Sequence, residues 1–204
     1  LPLVLPDGSL IACNQGANIE YPEHFSNDIR ELSFMGEAFF NVAHNPEKPM
    51  IIATENVRVK VLGTSFNLCN CVNSNEIIVY LESGKILFYS VDSYDGSIVE
   101  QVVLSPGEKG VYNKSTGLIT KSQFDNSNHI AWKTGILNFV NAPLTDVVQV
   151  LEKTYRINIT SQLLLDNYFL TAKYEDESPE TIFQSLQVIY GFDFQINGNS
   201  VTLN

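Results

Sequence analysis

The residues best suited to redox or metal chemistry are the three cysteines, Cys13, Cys69 and Cys71. Cys69 and Cys71 stand two positions apart in a probable strand, so both side chains point to one face of a sheet. Such a pair could bind a metal or act in redox chemistry, but structural zinc takes four ligands and the partners are missing. The pattern therefore favours two small apolar side chains in the core. A disulfide from Cys13 to one of them is the open alternative.

Histidines and carboxylates do not form a recognisable catalytic motif. No two histidines lie three or four residues apart, and the chain has no nucleophile elbow or phosphate-binding glycine loop. Asp92 with Asp95, and the acidic residues 175–177, could serve glycoside hydrolysis or bind calcium. Residues 175–177 precede a predicted helix, however, where the helix dipole favours negative charge. We expect no enzyme, no cofactor and no metal site. The histidines are His24, His44 and His129.

Composition excludes several classes of partner. The 204 residues include 12 basic and 23 acidic side chains, for a net charge of −11. Phosphate backbones need clustered Lys and Arg, and the chain has no such cluster, so we expect no binding to nucleic acid. Anionic membrane surfaces are disfavoured for the same reason. No run approaches the roughly 20 apolar residues that span a bilayer, and no signal peptide is visible.

Residues 1–122 are predicted to form an all-β domain of short antiparallel strands. Residues 57–61 alternate between valine and basic residues, which is the period of a half-buried strand. Gly63 interrupts the following run and indicates a bulge, a bend or a close backbone approach. Residues 82–85 are predicted to join two strands as a hairpin. Many short strands separated by Asp-Gly and Pro-Gly turns indicate a sandwich, a barrel or stacked sheets.

Residues 123–131 are polar and asparagine-rich, which predicts a linker. Residues 132–204 are predicted to form an α+β domain in the order β-α-β-β-α-β-β, with two helices against small sheets. The fold class is therefore mainly β plus α+β. Trp132, the sole tryptophan, is predicted to pack between the two domains because a large aromatic side chain buries much area.

Capping residues mark both helices of the second domain. Pro143 suits the first turn of one helix, and Ser178 with Pro179 suits the start of the other as N-cap and first-turn proline. Gly191 is placed to end the second helix. The apolar faces are Leu144, Val147, Val148, Leu151 and Tyr155 in the first helix, and Ile182, Phe183, Leu186, Ile189 and Tyr190 in the second.

Several short phrases, in this order, resemble the periplasmic part of FecR-type anti-sigma regulators. The last of them opens a half similar to the short domain shared by secretins and TonB-dependent transporters. The resemblance covers nearly the whole chain. The phrases are Leu5-Pro-Asp-Gly-Ser9, Tyr21-Pro-Glu-His-Phe25, Arg30-Glu-Leu-Ser-Phe-Met-Gly-Glu-Ala-Phe-Phe40, Val61-Leu-Gly-Thr-Ser-Phe-Asn67, Leu104-Ser-Pro-Gly-Glu108 and Trp132-Lys-Thr-Gly-Ile-Leu-Asn-Phe139.

This resemblance implies the periplasmic, signal-sensing region of a single-pass inner-membrane protein. Such regulators contact the N-terminal signalling domain of a TonB-dependent outer-membrane transporter and relay the signal to an extracytoplasmic-function sigma factor. The chain starts at Leu1 without a sigma-binding segment or a membrane helix. We therefore expect a periplasmic fragment whose membrane anchor is absent and which meets the sigma factor only through an absent cytoplasmic segment.

The predicted contact with the transporter is one strand of the second domain. Its residues Thr171, Lys173, Tyr174 and Glu175 mix apolar and charged side chains. Small sheets have open edges, and an unpaired edge can accept a strand from another chain.

The alternative function is that of a secreted β-rich module that binds glycans or proteins. Exposed tyrosines such as Tyr94 would supply a carbohydrate platform, although most tyrosines are predicted to lie in the core or in cross-strand pairs. The tyrosines considered are Tyr21, Tyr80, Tyr89, Tyr94 and Tyr112.

Overall fold

A computed structural model describes residues 2–71, 74–124 and 128–204. The chain divides into two compact units, Leu1–Asp125 and Asn126–Asn204. The N-terminal unit consists of strands and the C-terminal unit of strands and helices, which confirms the predicted fold class. No helix within the described ranges is long and apolar enough to cross a membrane.

The N-terminal unit forms one curled sheet around a continuous apolar core. Its strands are β1 (Leu3–Val4), β2 (Leu10–Cys13), β3 (Asn18–Glu20), β4 (Arg30–Asn41), β5 (Met50–Thr54), β6 (Val57–Val61), β7 (Ser65–Asn70), β8 (Glu76–Ser83), β9 (Ile86–Val91), β10 (Ile98–Leu104), β11 (Glu108–Asn113) and β12 (Ile119–Gln123). They follow the path β10-β9-β6-β5-β4-β7-β8-β11-β12, with β1 on β2 and with β2 and β3 on β4. Strand β10 also lies against β11 and β12, so the two ends of the path approach each other.

Strand β4, which is 12 residues long, joins the two halves of this sheet. Its first part pairs with β3 and, in parallel, with β5, whereas residues 36–41 pair with β7. Gly36 lies where the partners change and has a φ of +105°. A Cβ added there would lie 2.7 Å from the Cα of Ala17. Only glycine allows both this backbone conformation and this close approach.

The hairpin predicted at residues 82–85 is wrong. Strand β8 pairs with β7 and β11, whereas β9 pairs with β6 and β10, so the chain crosses from one half of the sheet to the other at this turn. Gly84, with a φ of +91°, makes the crossing, and a Cβ there would lie 2.8 Å from the Gly63 carbonyl oxygen. Alternation specifies which face of a strand is buried, but it does not specify the neighbouring strand.

Two further features of the N-terminal unit bear on its predicted strands. Of the bulge, the bend and the close backbone approach predicted as alternatives at Gly63, the close approach is present, since a Cβ there would lie 2.5 Å from the Cα of His44. The pairing of β4 with β5 is parallel, whereas the strands were predicted to be antiparallel. Residues 42–49 lead the chain back alongside β4 before β5 begins, and a parallel pair needs such a return.

The C-terminal unit has the predicted order β-α-β-β-α-β-β, preceded by one short helix. The α-helices and strands are α1 (Ala131–Thr134), β13 (Ile136–Pro143), α2 (Leu144–Tyr155), β14 (Asn158–Ser161), β15 (Phe169–Glu175), α3 (Pro179–Tyr190), β16 (Phe194–Asn197) and β17 (Ser200–Leu203). The strands form two small sheets: an antiparallel pair β13-β15, and a sheet β14-β17-β16 in which β14 runs parallel to β17.

Part of the predicted linker has regular structure. Strand β12 extends to Gln123, and a 3-10 turn at Asn128–Ile130 leads directly into α1. Residues 125–127 of the predicted linker lie outside the described residues.

The predicted caps of α3 are confirmed. The Ser178 hydroxyl accepts a hydrogen bond from the Thr181 backbone N–H at 3.2 Å, and Pro179 occupies the first turn. Gly191 ends the helix in a left-handed conformation, and its N–H donates to the Gln187 carbonyl. One predicted core position is wrong, because Ile189 is 55% exposed. It lies in the last turn, at the margin of a stripe centred between Phe183 and Leu186.

Candidate partner-binding surface

The two-stranded sheet β13-β15 presents one face to the core of the C-terminal unit and the other to solvent. On β15, Leu170 is buried and Tyr174 is half-buried. The Tyr174 hydroxyl lies 2.7 Å from the Ser185 hydroxyl on α3, within hydrogen-bonding distance. Side chains alternate along a strand, so Thr171, Lys173 and Glu175 lie together on the exposed face.

The predicted contact residues therefore fall on both faces of β15. Thr171, Lys173 and Glu175 are neighbours on the exposed face, whereas Tyr174 contributes to packing on the inner face. Lys173 and Glu175 form an ion pair. The hydrogen bond from Lys173 lowers the pKa of Glu175 below its usual value. Both groups are exposed, and solvent screening leaves surface pairs of this kind with little stabilising effect.

A side chain occupies the outer edge of β13 and makes the backbone hydrogen bonds that a neighbouring strand would make there. The Asn128 amide oxygen accepts a hydrogen bond from the Asn138 backbone N–H at 2.8 Å, and the Asn128 amide nitrogen donates to the Asn138 carbonyl at 2.9 Å. The backbone groups of Asn138 therefore point away from β15. In an antiparallel pair, two directly opposite residues either both direct their N–H and C=O groups toward the other strand or both direct them away from it.

The same geometry defines an open edge on β15. Lys173 is opposite Asn138, so its N–H and C=O point away from β13. By alternation, the backbone groups of Thr171 and Glu175 also point outward. Across the described ranges, no strand pairs with this edge. One end of the edge is marked by the Phe169 carbonyl, which accepts a hydrogen bond from the Tyr190 hydroxyl at 2.8 Å.

A bulge in β13 adds apolar surface beside this edge. The register shifts between Phe139 and Ala142, and Asn141 within the bulge has a φ of +48°. The Asn141 backbone N–H donates to the Thr171 hydroxyl at 2.9 Å, which ties the bulge to β15. Val140 of the bulge and Phe169 of β15 are both largely exposed. The surface thus combines open backbone groups with apolar and charged side chains.

The prediction that Cys69 and Cys71 are unpaired apolar residues is wrong, because they form a disulfide. Cys69 is buried as predicted, whereas Cys71 is half-buried. Strand β7 ends at Asn70, and the turn of the chain there brings the two Cα atoms to 5.6 Å. That separation lies within the range that a disulfide bridges. Cys13 is the free cysteine of the three and is exposed, and partial burial raises the pKa of its thiol.

Of the acidic groups considered as catalytic or calcium-binding candidates, Asp92 and Asp95 organise a turn. The Asp92 carboxylate accepts from the Tyr94 backbone N–H at 2.7 Å, and the Asp95 carboxylate from that of Ser97 at 2.9 Å. Hydrogen bonds from Ser97 lower the pKa of Asp95. Asp176 has a φ of +51° between β15 and α3.

Of the histidines, His24 and His44 are exposed and His129 is buried in the C-terminal unit.

The tyrosines fall into two groups. Tyr112 is buried and its hydroxyl accepts from the Asn56 side chain at 2.6 Å, and the Tyr80 ring meets Phe124 edge-on at 5.4 Å. Tyr94 is 99% exposed on a turn. The carbohydrate platform stays a prediction, as does the packing of Trp132 between the domains.

Sequence reasoning missed a buried ion pair in the N-terminal unit. The Arg30 guanidinium, 1% exposed, donates to the Asp7 carboxylate at 2.6 Å and to the carbonyls of Ala43 and Lys48, each at 2.8 Å. Burial raises the pKa of Asp7, but hydrogen bonds from Arg30 and Ser9 outweigh it and hold that pKa below its usual value.

A signal for Arg30 was present in the sequence. It shares the alternation of Leu32 and Phe34, which face the core, so a charged residue at that position had to be buried. The buried Glu37 on the same strand has no such signal, because it lies on the opposite face, where exposed residues are expected.

Comparison with known proteins gives matches over both units. The family model described as FecR protein matches residues 1–88, and the one described as FecR, C-terminal matches residues 136–203. Two crystal structures of a proposed anti-sigma factor from Parabacteroides distasonis ATCC 8503 match 100% of this chain at 29% sequence identity. The matches cover 93% and 92% of those chains, with TM-scores of 0.74 and 0.73. A search of curated proteins finds no match.

Proposed function

Since the chain belongs to the FecR family of signalling regulators, we propose that it is the periplasmic, signal-sensing region of a membrane-anchored anti-sigma factor. Its C-terminal unit binds the N-terminal signalling domain of a TonB-dependent outer-membrane transporter. The signal then passes to an extracytoplasmic-function sigma factor held by a cytoplasmic segment outside this chain. The likeness to a proposed anti-sigma factor over both units supports the regulatory part of this proposal.

The observation that carries the proposal is the open edge of β15. Backbone groups at Thr171, Lys173 and Glu175 point outward with no strand beside them in the described part of the chain. An extended segment of the transporter domain could pair there and extend the β13-β15 sheet by one strand. Main-chain hydrogen bonds would supply affinity, and contacts with Val140 and Phe169 would add apolar burial.

The two edges of this sheet differ in a way that favours β15 as the docking edge. Asn128 already satisfies the outward groups of Asn138 on β13. On β15 the ion pair between Lys173 and Glu175 is exposed and weakly stabilising. Either side chain can therefore leave this pair and bind a charged group of the transporter domain at little cost. A charged edge of this kind also discourages pairing with other copies of the chain, because charges on an edge strand oppose sheet-to-sheet association.

The direct test is calorimetric titration of this chain with the isolated N-terminal signalling domain of the transporter encoded beside it. We expect saturable binding that persists when residues 1–120 are deleted. Absence of binding at high micromolar concentration would overturn the transporter contact. In that case, binding on a glycan array that Tyr94→Ala abolishes would favour the module that binds glycans.

A pair of variants at one position tests strand addition itself. Lys173→Pro removes an outward N–H without removing a hydrogen bond to β13, so we expect it to weaken binding strongly. Lys173→Ala keeps the backbone donor and should bind nearly as the parent does. Lys173→Glu tests whether the charge of the side chain contributes to binding. Lys121→Glu, which makes the same charge change on the exposed side of the N-terminal unit, is its control. Equal binding by Lys173→Pro and the parent would exclude this edge.

A further inference from the structure

Two cysteine sulfurs and a carboxylate meet at one place in the N-terminal unit. The Sγ atoms of Cys69 and Cys71 and a carboxylate oxygen of Glu37 lie within 4.8 Å of one another. Glu37 on β4 is directly opposite Cys69 on β7, so the two side chains project from the same face of the sheet. Glu37 and Cys69 are each 5% exposed, and Cys71 is half-buried.

Two amide side chains fix the orientation of the Glu37 carboxylate. Asn67 donates from its amide nitrogen to one carboxylate oxygen at 3.0 Å, and Asn14 donates to the other, also at 3.0 Å. Asn67 is fully buried. Donors of this kind hold metal-ligating carboxylates in position in known sites.

We propose that the reduced form of this cluster is a binding site for a borderline-soft divalent cation such as Zn²⁺, with Cys69, Cys71 and Glu37 as its three protein ligands. Thiolate and carboxylate are both established zinc ligands, and a tetrahedral site with three protein ligands leaves one position for water. Thiolate donors disfavour Mg²⁺ and Ca²⁺, which prefer oxygen ligands. The disulfide occupies both sulfurs, so oxidation closes the site.

A dithiol reduces the disulfide and opens the site, and the reverse exchange, with the cyclic disulfide of that dithiol as oxidant, closes it. One thiolate of the dithiol attacks the Cys71 sulfur, the more accessible of the two, and releases the Cys69 thiolate. The second thiol of the reductant then releases Cys71 and closes the reductant into a cyclic disulfide. Two electrons pass to the protein. Cation binding displaces the protons that remain on the two cysteine thiols.

The backbone distance suits both forms. A Cα separation of 5.6 Å permits the disulfide. Two thiolates on a tetrahedral zinc stand about 3.8 Å apart, given Zn–S bonds of about 2.3 Å, and modest side-chain rotation would reach that spacing.

The test uses Cd²⁺ as the probe, because thiolate ligation gives a charge-transfer absorption in the ultraviolet. The full chain is reduced, freed of reductant without air and titrated. We expect one equivalent of Cd²⁺ to give this absorption in the reduced protein and none in the oxidised protein. Zn²⁺ should displace Cd²⁺ in competition. Reduced protein that shows no thiolate absorption with Cd²⁺ would overturn the proposal.

Variants assign the ligands. Cys71→Ser should abolish the absorption, and Cys13→Ser, which removes the free thiol, should leave it unchanged. Glu37→Gln should weaken binding more than Asn14→Ala, for which we expect a loss of about 10- to 100-fold. Absorption that survives Cys71→Ser, or that disappears with Cys13→Ser, would overturn the assignment. If a variant does not fold, the titration of the reduced parent against the oxidised parent, which have the same sequence, still tests the proposal.

Discussion

The two units of this chain treat polar groups in opposite ways. The N-terminal unit buries charges and surrounds them with partners, as at Arg30 with Asp7 and at Glu37 with Asn67. The C-terminal unit keeps its acidic and basic side chains partly or fully exposed. It uses polar side chains at the margins of its elements, as at Ser178, which caps α3, and at Asn128, which bonds to the edge of β13. Hydrogen bonds to buried charges help to specify one arrangement, although the Arg30 Nη2 atom has no hydrogen-bond partner among the described residues. An edge left open, by contrast, can accept a partner.

Apolar exposure does not follow this division. On α3, Val188 is 85% exposed, but on β10 of the N-terminal unit Val99 is 61% exposed and Val103 is 47% exposed. Each unit also has a hydrophobic core of its own. The contrast between the two units therefore lies in buried charge and not in apolar exposure.

The largest effect should come from removing the buried guanidinium. Arg30→Ala leaves the Asp7 carboxylate and two carbonyls without their partner, which should destabilise the N-terminal unit by about 3–5 kcal/mol. Hydrogen exchange followed peptide by peptide in urea would separate the two units. Arg58→Ala, at a half-buried arginine on β6, is the matched control. Similar losses from both variants would break the comparison, because the buried network would then have no special role.

The next effect concerns the point where β4 changes partners. Gly36→Ala combines a positive φ with a contact of 2.7 Å to the Ala17 backbone and should cost about 1–3 kcal/mol. Gly16→Ala measures the cost of the positive φ alone, since Gly16 has a φ of +82° and a Cβ added there would have nothing within 4 Å. Urea denaturation of both variants gives the difference. Equal losses would mean that the close approach contributes nothing.

A smaller effect is expected in the C-terminal unit. Ser178→Ala removes the N-cap hydrogen bond of α3 and should cost about 1 kcal/mol. The loss should be confined to exchange in residues 126–204. Ser200→Ala, on the exposed side of β17, is the control. A loss that spread equally into the N-terminal unit would show that the two units unfold together.

The smallest effect should be seen in acid. The pKa of Asp7 is lowered in the folded protein, so its stabilising contribution is present above its usual value of 3.8 and is lost as the pH falls through the lower folded value. Asp7→Asn should remove this dependence from the N-terminal unit. Glu175→Gln should leave the acid dependence of the C-terminal unit almost unchanged, because Glu175 is exposed and screened. Urea midpoints measured at several pH values would check both.

Sequence reasoning succeeded where the signal is local. The buried face of α2 follows from the spacing of its apolar residues, and the caps of α3 follow from Ser178, Pro179 and Gly191. Both signals are local because helix hydrogen bonds join residues close in sequence. It failed where partners are distant. Alternation located β8 and β9 but could not show that they lie in different halves of the sheet.

The candidate site was predictable only in part. The strand at 171–175 was identified, but its edge depends on Asn128 and on the register with β13, which no local pattern encodes. The Cys69–Cys71 disulfide was missed because a strand pattern assumes that the strand continues to Cys71, whereas it ends at Asn70. Glu37 was missed because its partners on β2 and β7 are brought together only by the fold.

Strand β4 also has a consequence for folding kinetics. It belongs to both halves of the N-terminal sheet, so neither half can complete its hydrogen bonding until β4 is in place. Its partners, from β2 to β7, lie on both sides of it in sequence, and such non-local pairings slow folding. Substitutions along β4 should therefore slow folding, whereas substitutions on β12 at the end of the path should mainly speed unfolding. One strand would then set the rate at which the whole unit acquires its structure.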